Sequence, residues 1–462
     1  MHLTIHFGNY FQKPRTVENS LGVHAHALDL RNFKPLMNED DLRLIKQDGI
    51  EVVRTDLLWS AVEQPKTILI QAGNQLAHFA NLVWRKMTGQ DSVALTRLEQ
   101  EKKYDFSKYD QFLAALKHQN LQPMMILGLG NPIYRPDGAL SIHPQPDHPA
   151  DVQHAFEEYA KAAVQHYKGQ GIIWELVQQP NHNFFWAPQK NAEEYTKLAM
   201  KLLPELKALD PSAQFVAPSL AGSDLAFQES CYRAGLLNYV DAVSIHFYKN
   251  LGDTVEPPES VIGEFKQSEE LIAKYKPANK EIPVLLGEGG YFRTSPTKPV
   301  KPENRVDAKL QADYAVRQYL VGLMLGSPIN NWHDWKGDIF SVADDPNNQE
   351  QQFGLVNRYL QPMLPYIKIQ EMHHALQGQT FKERWPVQSN DHPNEDYLLI
   401  FEGQGKKTLA AWSTRPPHSV YTERGNILLS GTPQFIPLPE NPPTVPLPLQ
   451  RTNSALTPSM SV

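Results

Sequence analysis

The sequence predicts an α/β fold, a closed (β/α)8 TIM barrel with a small C-terminal antiparallel β domain. Between about residue 20 and about residue 335, eight short β-rich apolar runs alternate with amphipathic helical stretches, the pattern of βαβ units on a parallel sheet. No Gly-rich phosphate fingerprint follows the first run, which favours a closed barrel over an open doubly wound sheet. Beyond Pro365 the pattern changes to strand-like runs joined by turn residues. A chain of 462 residues has room for one barrel, typically about 250 to over 400 residues, and a smaller companion.

The strands are expected at Leu21 to His24, Val52 to Leu57, Pro123 to Leu127, Ile172 to Val177, Phe215 to Ala217, Ala242 to His246, Pro283 to Leu286 and Ile329 to His333. The first helix starts after Asn38, an N-cap followed by Glu39-Asp40-Asp41, puts Leu42 and Ile45 on one face, and closes at Asp48-Gly49. Further helices are expected at Ser107 to Gln119, Ala150 to Lys168, Ala192 to Leu209, Asp224 to Ala234, Ser260 to Tyr275 and Val306 to Leu325. Residues 67–103 break the spacing and read as an insertion in the second βα loop, with Leu76, Phe79, Leu82, Val83 and Met87 at helical intervals. The barrel is therefore assigned to residues 20–368 and the small β domain to 369–432, with Gly403-Gln404-Gly405 as a hairpin turn. The N-terminal run Met1 to Phe7 alternates with period two, so residues 1–19 are expected to add a strand to the β domain. From 433 to 462 the run Pro437, Pro439, Pro442, Pro443, Pro446, Pro448 reads as a disordered or polyproline-like tail.

Lys and Arg total 44 against 51 Asp and Glu, a net charge of −7 that leaves no basic excess for nucleic acid. No apolar stretch approaches the ~18 residues of a membrane span, and the N-terminus lacks the basic and apolar regions of a signal peptide. The single cysteine, Cys231, excludes an intrachain disulfide and reads as a packing residue.

Barrel enzymes carry their chemistry where strands end, and those positions are polar and aromatic here. The first strand ends in His24-Ala25-His26, and the second carries Arg54 and Asp56 with Trp59 and Glu63 beyond. The third runs into Asn131 and Tyr134, the fourth reads Trp174-Glu175-Leu176-Val177-Gln178-Gln179-Pro180-Asn181, and the sixth ends in His246-Phe247-Tyr248. Glu288 follows an apolar run between Gly287 and Gly289-Gly290, glycines read as room for a bulky ligand. Its natural cationic partner across the mouth is Arg54. Trp59, Tyr134, Tyr248, Trp332 and Trp335 would present aromatic faces around that carboxylate, an arrangement suited to the CH faces of a sugar ring. The histidines show neither a His-x-x-x-His pair nor the spacing of a two-histidine, one-carboxylate site, so no metal is expected.

Over about residues 20–380 the chain resembles the clan A retaining glycoside hydrolases, most closely the family 39-like group that includes bacterial exopolysaccharide glycosidases. The resemblance rests on Val53-Arg54-Thr55-Asp56 with Trp59 and Val62-Glu63, on Tyr104-Asp105-Phe106-Ser107-Lys108-Tyr109-Asp110, on the fourth-strand motif, on Gly287-Glu288-Gly289 and on Gln352-Phe353-Gly354-Leu355. It implies Glu288 as nucleophile, Arg54 orienting it, Tyr248 beside it and Trp332 as a sugar platform. The substrate-binding set is then Arg54, Gln178, His24, His26, Trp59, Asn131, Tyr134, His246, Tyr248, Trp332 and Trp335, with a carbohydrate substrate and no cofactor. The resemblance also implies a secreted or periplasmic protein.

The fourth strand departs from that family, which reads Asn-Glu where this chain has Gln178 and Gln179. The second of those places is the acid/base in the family, and glutamine cannot deliver a proton. Retention needs two carboxyls about 5 to 5.5 Å apart, and Glu175, about 13 Å back along an extended strand from Gln179, reads as a structural charge deeper in the barrel. Plant thioglucosidases, also clan A barrels, carry Gln at this place and cleave a leaving group that needs no protonation. Two readings follow: a retaining O-glycosidase with an impaired acid/base, acting on a polysaccharide or glycoside, or a catalytically lapsed carbohydrate-binding protein on the same barrel.

Overall fold

The structure, a computed structural model, describes residues 10–29, 31–63, 104–134, 149–337, 345–387, 394–422 and 425–439, in two compact units, 1–381 and 382–462. The insertion at 67–103 and the run Met1 to Phe7 lie outside the described residues.

In the first unit, eight parallel strands close in sequence order: β1 (Leu21–His24), β2 (Val52–Asp56), β3 (Gln122–Leu127), β4 (Ile173–Leu176), β5 (Gln214–Ala221), β6 (Ala242–Tyr248), β7 (Val284–Gly290) and β8 (Asn330–Trp332). The ring closes where β1 pairs with both β2 and β8. Around it run α1 (Glu39–Gln47), α2 (Trp59–Val62), α3 (Ser107–His118), α4 (Pro149–His166), α5 (Ala192–Leu209), α6 (Leu225–Arg233), α7 (Val261–Tyr275), α8 (Ala308–Met324) and α9 (Leu364–Leu376). The expected helices start and stop within two residues of these bounds, because their caps are explicit in the sequence. Asn38 accepts from the backbone N–H groups of Asp40 and Asp41, and Asp41 accepts from Asn38 N in return. Asn191 caps α5 by accepting from Glu193 N and Glu194 N, and Asp224 caps α6 by accepting from Phe227 N. Cys231 is buried in α6, where desolvation pushes its thiol up to about 12.

Side chains alternate in and out along each strand, and this sets the interior in layers. Val52, Met124, Ile173, Val216, Ala242, Leu285 and Ile329 form the lowest apolar layer, closed by Tyr10. Two residues further along their strands stand Arg54, Glu175, Ser244 and Asn331, all buried. The interior thus turns from apolar to polar toward the C-terminal mouth.

The run expected to form the N-terminal strand is not described, and residues 10–20 lead from it into the barrel. They form two short 3-10 turns, Tyr10–Gln12 and Glu18–Ser20. Asn19 causes this: its side chain accepts from Thr16 N and donates to Pro14 O, which curls the segment beneath the barrel.

The domain boundary also moves. α9 buries Tyr366, Ile369, Met372 and Leu376, and the Tyr366 hydroxyl donates to Leu44 O, so residues 369–381 belong with the barrel. The sheet beyond has the order β14 (Gln434–Leu438), β11 (Lys406–Ser413), β10 (Asp396–Gly403), β9 (Thr380–Arg384), with β12 (His418–Thr422) and β13 (Gly425–Leu429) as a separate hairpin. Gln404 and Gly405 have φ of 49° and 71°, the two positive values that a tight two-residue hairpin requires. Residues 434–438, expected in the disordered tail, instead form β14. Its Pro437 is tolerated because β14 is an edge strand, where a missing N–H costs no ladder bond on the open side. Residues 440–462 lie outside the described residues.

Candidate active site

The polar upper layer is organised by Arg54, a fully buried guanidinium. Its Nε and Nη2 donate to the two oxygens of Glu175, each at 2.7 Å, the bidentate geometry in which guanidinium and carboxylate match. Its Nη1 donates to Glu288 Oε2 and stands 2.7 Å from His24 Nδ1, and Nη2 reaches Gln178 Oε1 at 3.3 Å. Burial opposes the charge on Arg54, and Glu175 and Glu288 outweigh it, holding the guanidinium above its ordinary value. Arg54 therefore bridges two carboxylates on different strands.

Glu288 is placed by an irregularity in the sheet. The β6–β7 register slips between Ile245↔Leu286 and His246↔Glu288, so that Gly287 is the extra residue and Glu288 is re-aimed into the mouth. The glycines around it make room for protein, which corrects their reading as space for a ligand. A Cβ on Gly287 would stand 1.9 Å from Ser244 Oγ, and one on Gly290 would stand 2.2 Å from the backbone oxygen of His333. The Tyr248 hydroxyl donates to Glu288 Oε1. Burial pushes the Glu288 carboxyl up, but the Arg54 guanidinium, with His246, His333 and His24 adding to it, outweighs burial and holds the carboxyl well below the usual carboxylate range. Glu288 is a 7%-exposed anion with one face toward the mouth.

Opposite it, β4 ends in a kink. Val177 and Gln179 have φ of 58° and 47°, and Gln179 N donates to Ser219 O at 2.7 Å while Asn181 exchanges two 2.9 Å bonds with Ala221. Gln179 Nε2 lies 2.8 Å from His246 Nδ1, whose other nitrogen lies 2.8 Å from Ser219 Oγ. Burial depresses His246, leaving a neutral ring that accepts from the amide and donates to the serine. His246 Nδ1 is also 3.8 Å from Glu288 Oε2. Gln179 and Glu288 are therefore linked by those two short steps through His246 Nδ1.

Arg54, Glu288, Gln178, Gln179, His24, His246 and Tyr248 come together, and His26 lies beside them, its Nδ1 3.3 Å from Asp56 Oδ2. The other expected contacts do not. Trp332 and Trp335 are fully buried, with indole N–H groups donating to Phe353 O and Asp41 Oδ1. Trp59 is sandwiched between Tyr134 and Tyr159, at 4.9 and 5.6 Å, and donates to Glu63. Asn131 bonds the Glu63 carbonyl, and Tyr134, stacked on Trp59, donates to the Glu63 carboxylate. Trp59, Asn131 and Tyr134 thus build the walls around Glu63.

Strand parity explains the Trp332 error. Ile329 faces inward in the lowest layer, so Asn331 and His333 do too, and Trp332 turns outward. His333 is the β8 side chain at the mouth, its ring 5.3 Å from His24 and 5.7 Å from Tyr248. Burial works against its charge, and Glu350, 3.7 Å away, with Asp334 and Glu288 raises it above the usual value. Alternation counted from Ile329 is the sequence signal for it. Glu175, which strand distance places remote from the chemistry, is one guanidinium away from Glu288.

Two groups among the described residues converge as closely as the ligands of a metal site do: His24, Glu288 and His333, and His24, His26 and Asp56, each with candidate atoms within 4.8 Å. Sequence spacing does not reveal either. Their donor chemistry does not suit an ion, because His24 Nδ1 can only accept from Arg54, its proton is then on Nε2, and neither nitrogen has a lone pair to give.

No family profile matches this sequence, and no curated protein matches it. Solved structures do match. A family 39 glycoside hydrolase from the gut symbiont Bacteroides cellulosilyticus WH2 superposes with a TM-score of 0.66 at 21% identity, over 92% of this chain and 82% of that one. The family 39 enzyme of Xanthomonas axonopodis pv. citri gives 0.57 at 16% identity, over 88% and 74%. A family 39 β-xylosidase from Caulobacter crescentus gives 0.56 at 15% identity, over 87% and 78%. The chain has the clan A (β/α)8 barrel fold of the family 39 glycoside hydrolases.

Proposed function

We propose that this protein is a retaining O-glycosidase in which Glu288 is the nucleophile and Gln179 stands where the acid/base would be, acting on a polysaccharide or glycoside. The observation that carries this reading is Glu288 itself, buried yet held ionised by Arg54 and hydrogen-bonded by Tyr248. A glycan-binding protein has no use for a carboxylate kept so acidic at the base of its pocket. In the first step a Glu288 oxygen attacks the anomeric carbon while the bond to the leaving oxygen breaks. In the second, water attacks the same carbon and the ester bond to Glu288 breaks. Gln179 can neither protonate the leaving oxygen nor deprotonate the water, so each step loses about 10²- to 10⁴-fold.

Two substitutes bypass these losses. Aryl glycosides with acidic leaving groups depart as phenolates without a proton, and azide attacks the glycosyl-enzyme without deprotonation. Dinitrophenyl glycosides are expected to turn over faster in azide and to yield glycosyl azide of retained configuration, read by NMR. If azide changes neither rate nor product across a panel of aryl glycosides, the reading falls to that of a lapsed carbohydrate-binding barrel.

A further inference from the structure

The loops leaving β7 and β8 at the mouth are tied to each other. Ser295 Oγ and Thr297 Oγ1 both donate to Asn347 Oδ1, the second at 2.6 Å, and Arg293 Nη2 donates to Gln352 Oε1 at 2.9 Å. Between the loops lies a concavity of about 260 Å³, lined by Phe292, Arg293, Lys298, Asn347, Gln349 and Gln352 among others. That falls just below the ~300 Å³ at which pockets for drug-sized ligands begin, and suits one sugar unit.

Its charge is one-sided. No carboxylate occurs among the described lining residues, and neither Arg293 nor Lys298 has an ion pair among the described residues. Arg293 Nε is buried without a hydrogen-bond partner among the described residues, an N–H whose desolvation none of them offsets. Glu350, on the same loop, is engaged with His333 at 3.7 Å. Because the chain as a whole carries −7, any attraction for an anion here is local. The concavity also adjoins the candidate active site: the Phe292 ring is 5.6 Å from Phe353, whose ring is 5.8 Å from that of Tyr248, the donor to Glu288.

We propose that this concavity is a subsite for an acidic sugar unit, bearing a carboxylate or a sulfate ester, in a glycan whose neighbouring unit enters the Glu288 pocket. The natural ligand is then an anionic polysaccharide, an assignment that rests on the glycosidase reading. Arg293 and Lys298 hold the anionic group by charge-assisted hydrogen bonds, and the Asn347 and Gln349 amides meet hydroxyls.

Calorimetry with the full chain tests this, using tetragalacturonate and a chondroitin sulfate tetrasaccharide against neutral xylotetraose and cellotetraose. At least one acidic probe is expected to bind about tenfold or more tighter than the neutral ones, less so in high salt. Arg293→Gln and Lys298→Gln should each remove about tenfold of that preference. Lys298 supplies a second variant because its ammonium has no ion pair or hydrogen bond among the described residues. Which acidic probe binds distinguishes carboxylate from sulfate. Equal binding of all four, no binding of either acidic probe, or an unchanged preference in both variants overturns the subsite. Labelling of Glu288 by activated 2-fluoro glycosides, run on the same variants, reads the glycosidase proposal separately: an acidic preference that both variants lose supports the subsite whether or not Glu288 is labelled.

Discussion

Replacing Gln179 with glutamate is expected to speed hydrolysis of unactivated glycosides by about 10²- to 10⁴-fold, the value of general acid or base assistance in each step. Gln179 is held through His246, whose Nδ1 is 2.8 Å from the Gln179 amide and 3.8 Å from the Glu288 carboxylate. A glutamate there would stand in the field of Glu288, and that like charge raises its pKa, which is what a proton donor at neutral pH needs. The pH profile should change with the rate. Glu288 is held well below the carboxylate range and stays ionised throughout, so it sets no limb near neutrality. The Gln179→Glu variant should show a new basic limb in kcat/KM, where its acid loses its proton. A variant no faster than the parent on every glycoside tried, with no new limb, would mean that Gln179 does not occupy the acid/base place.

The second large effect is on stability. Arg54→Met removes the guanidinium that Glu175 and Glu288 share, and stranding buried carboxylates costs about 3 to 5 kcal/mol. The pH dependence should also invert. In the parent, the Glu288 pKa is depressed below the ordinary glutamate value of 4.5. Its contribution to stability is therefore full above that value and lost as pH falls toward the folded pKa. Without Arg54, burial, the largest influence on Glu288, is opposed only by His246, His333 and His24, and the pKa moves up. The variant should then lose stability as pH rises through the raised value, gaining it back in mild acid. Denaturant midpoints measured from about pH 4 to 8 follow both trends. A loss below about 1 kcal/mol with the parental pH trend would contradict the central place given to Arg54.

The barrel is legible in the sequence because caps and periodicity are local signals: Asn38, Asn191 and Asp224 announce their helices, and the apolar runs announce their strands. The Arg54–Glu288 pair is legible because a carboxylate at a strand end needs a cation. Four things are not. Trp332 stands out over His333 when residue type is weighed ahead of parity, and a one-residue choice at a strand end swaps inside for outside. Trp59, Asn131 and Tyr134 look like ligand contacts in sequence, but their partner Glu63 is brought to them only by the fold. Glu175 falls too far from the chemistry on sequence grounds because distance along a strand ignores the reach of an arginine from the neighbouring wall. Gly287 suggests a freedom to approach a ligand, whereas the bulge it fills is a property of two strands together.

The glycosidase proposal stands or falls with Glu288 as a working nucleophile. Intact and peptide mass spectrometry after incubation with 2-deoxy-2-fluoro glycosyl fluorides of a panel of sugars, neutral and acidic, tests it without needing Gln179 to act. The carboxylate attacks the anomeric carbon, fluoride leaves unprotonated, and the 2-fluoro group slows release of the ester. One added glycosyl mass is expected on the peptide containing Glu288, and none in Glu288→Gln. An unlabelled parent across the panel, or an adduct on any other residue, would contradict it.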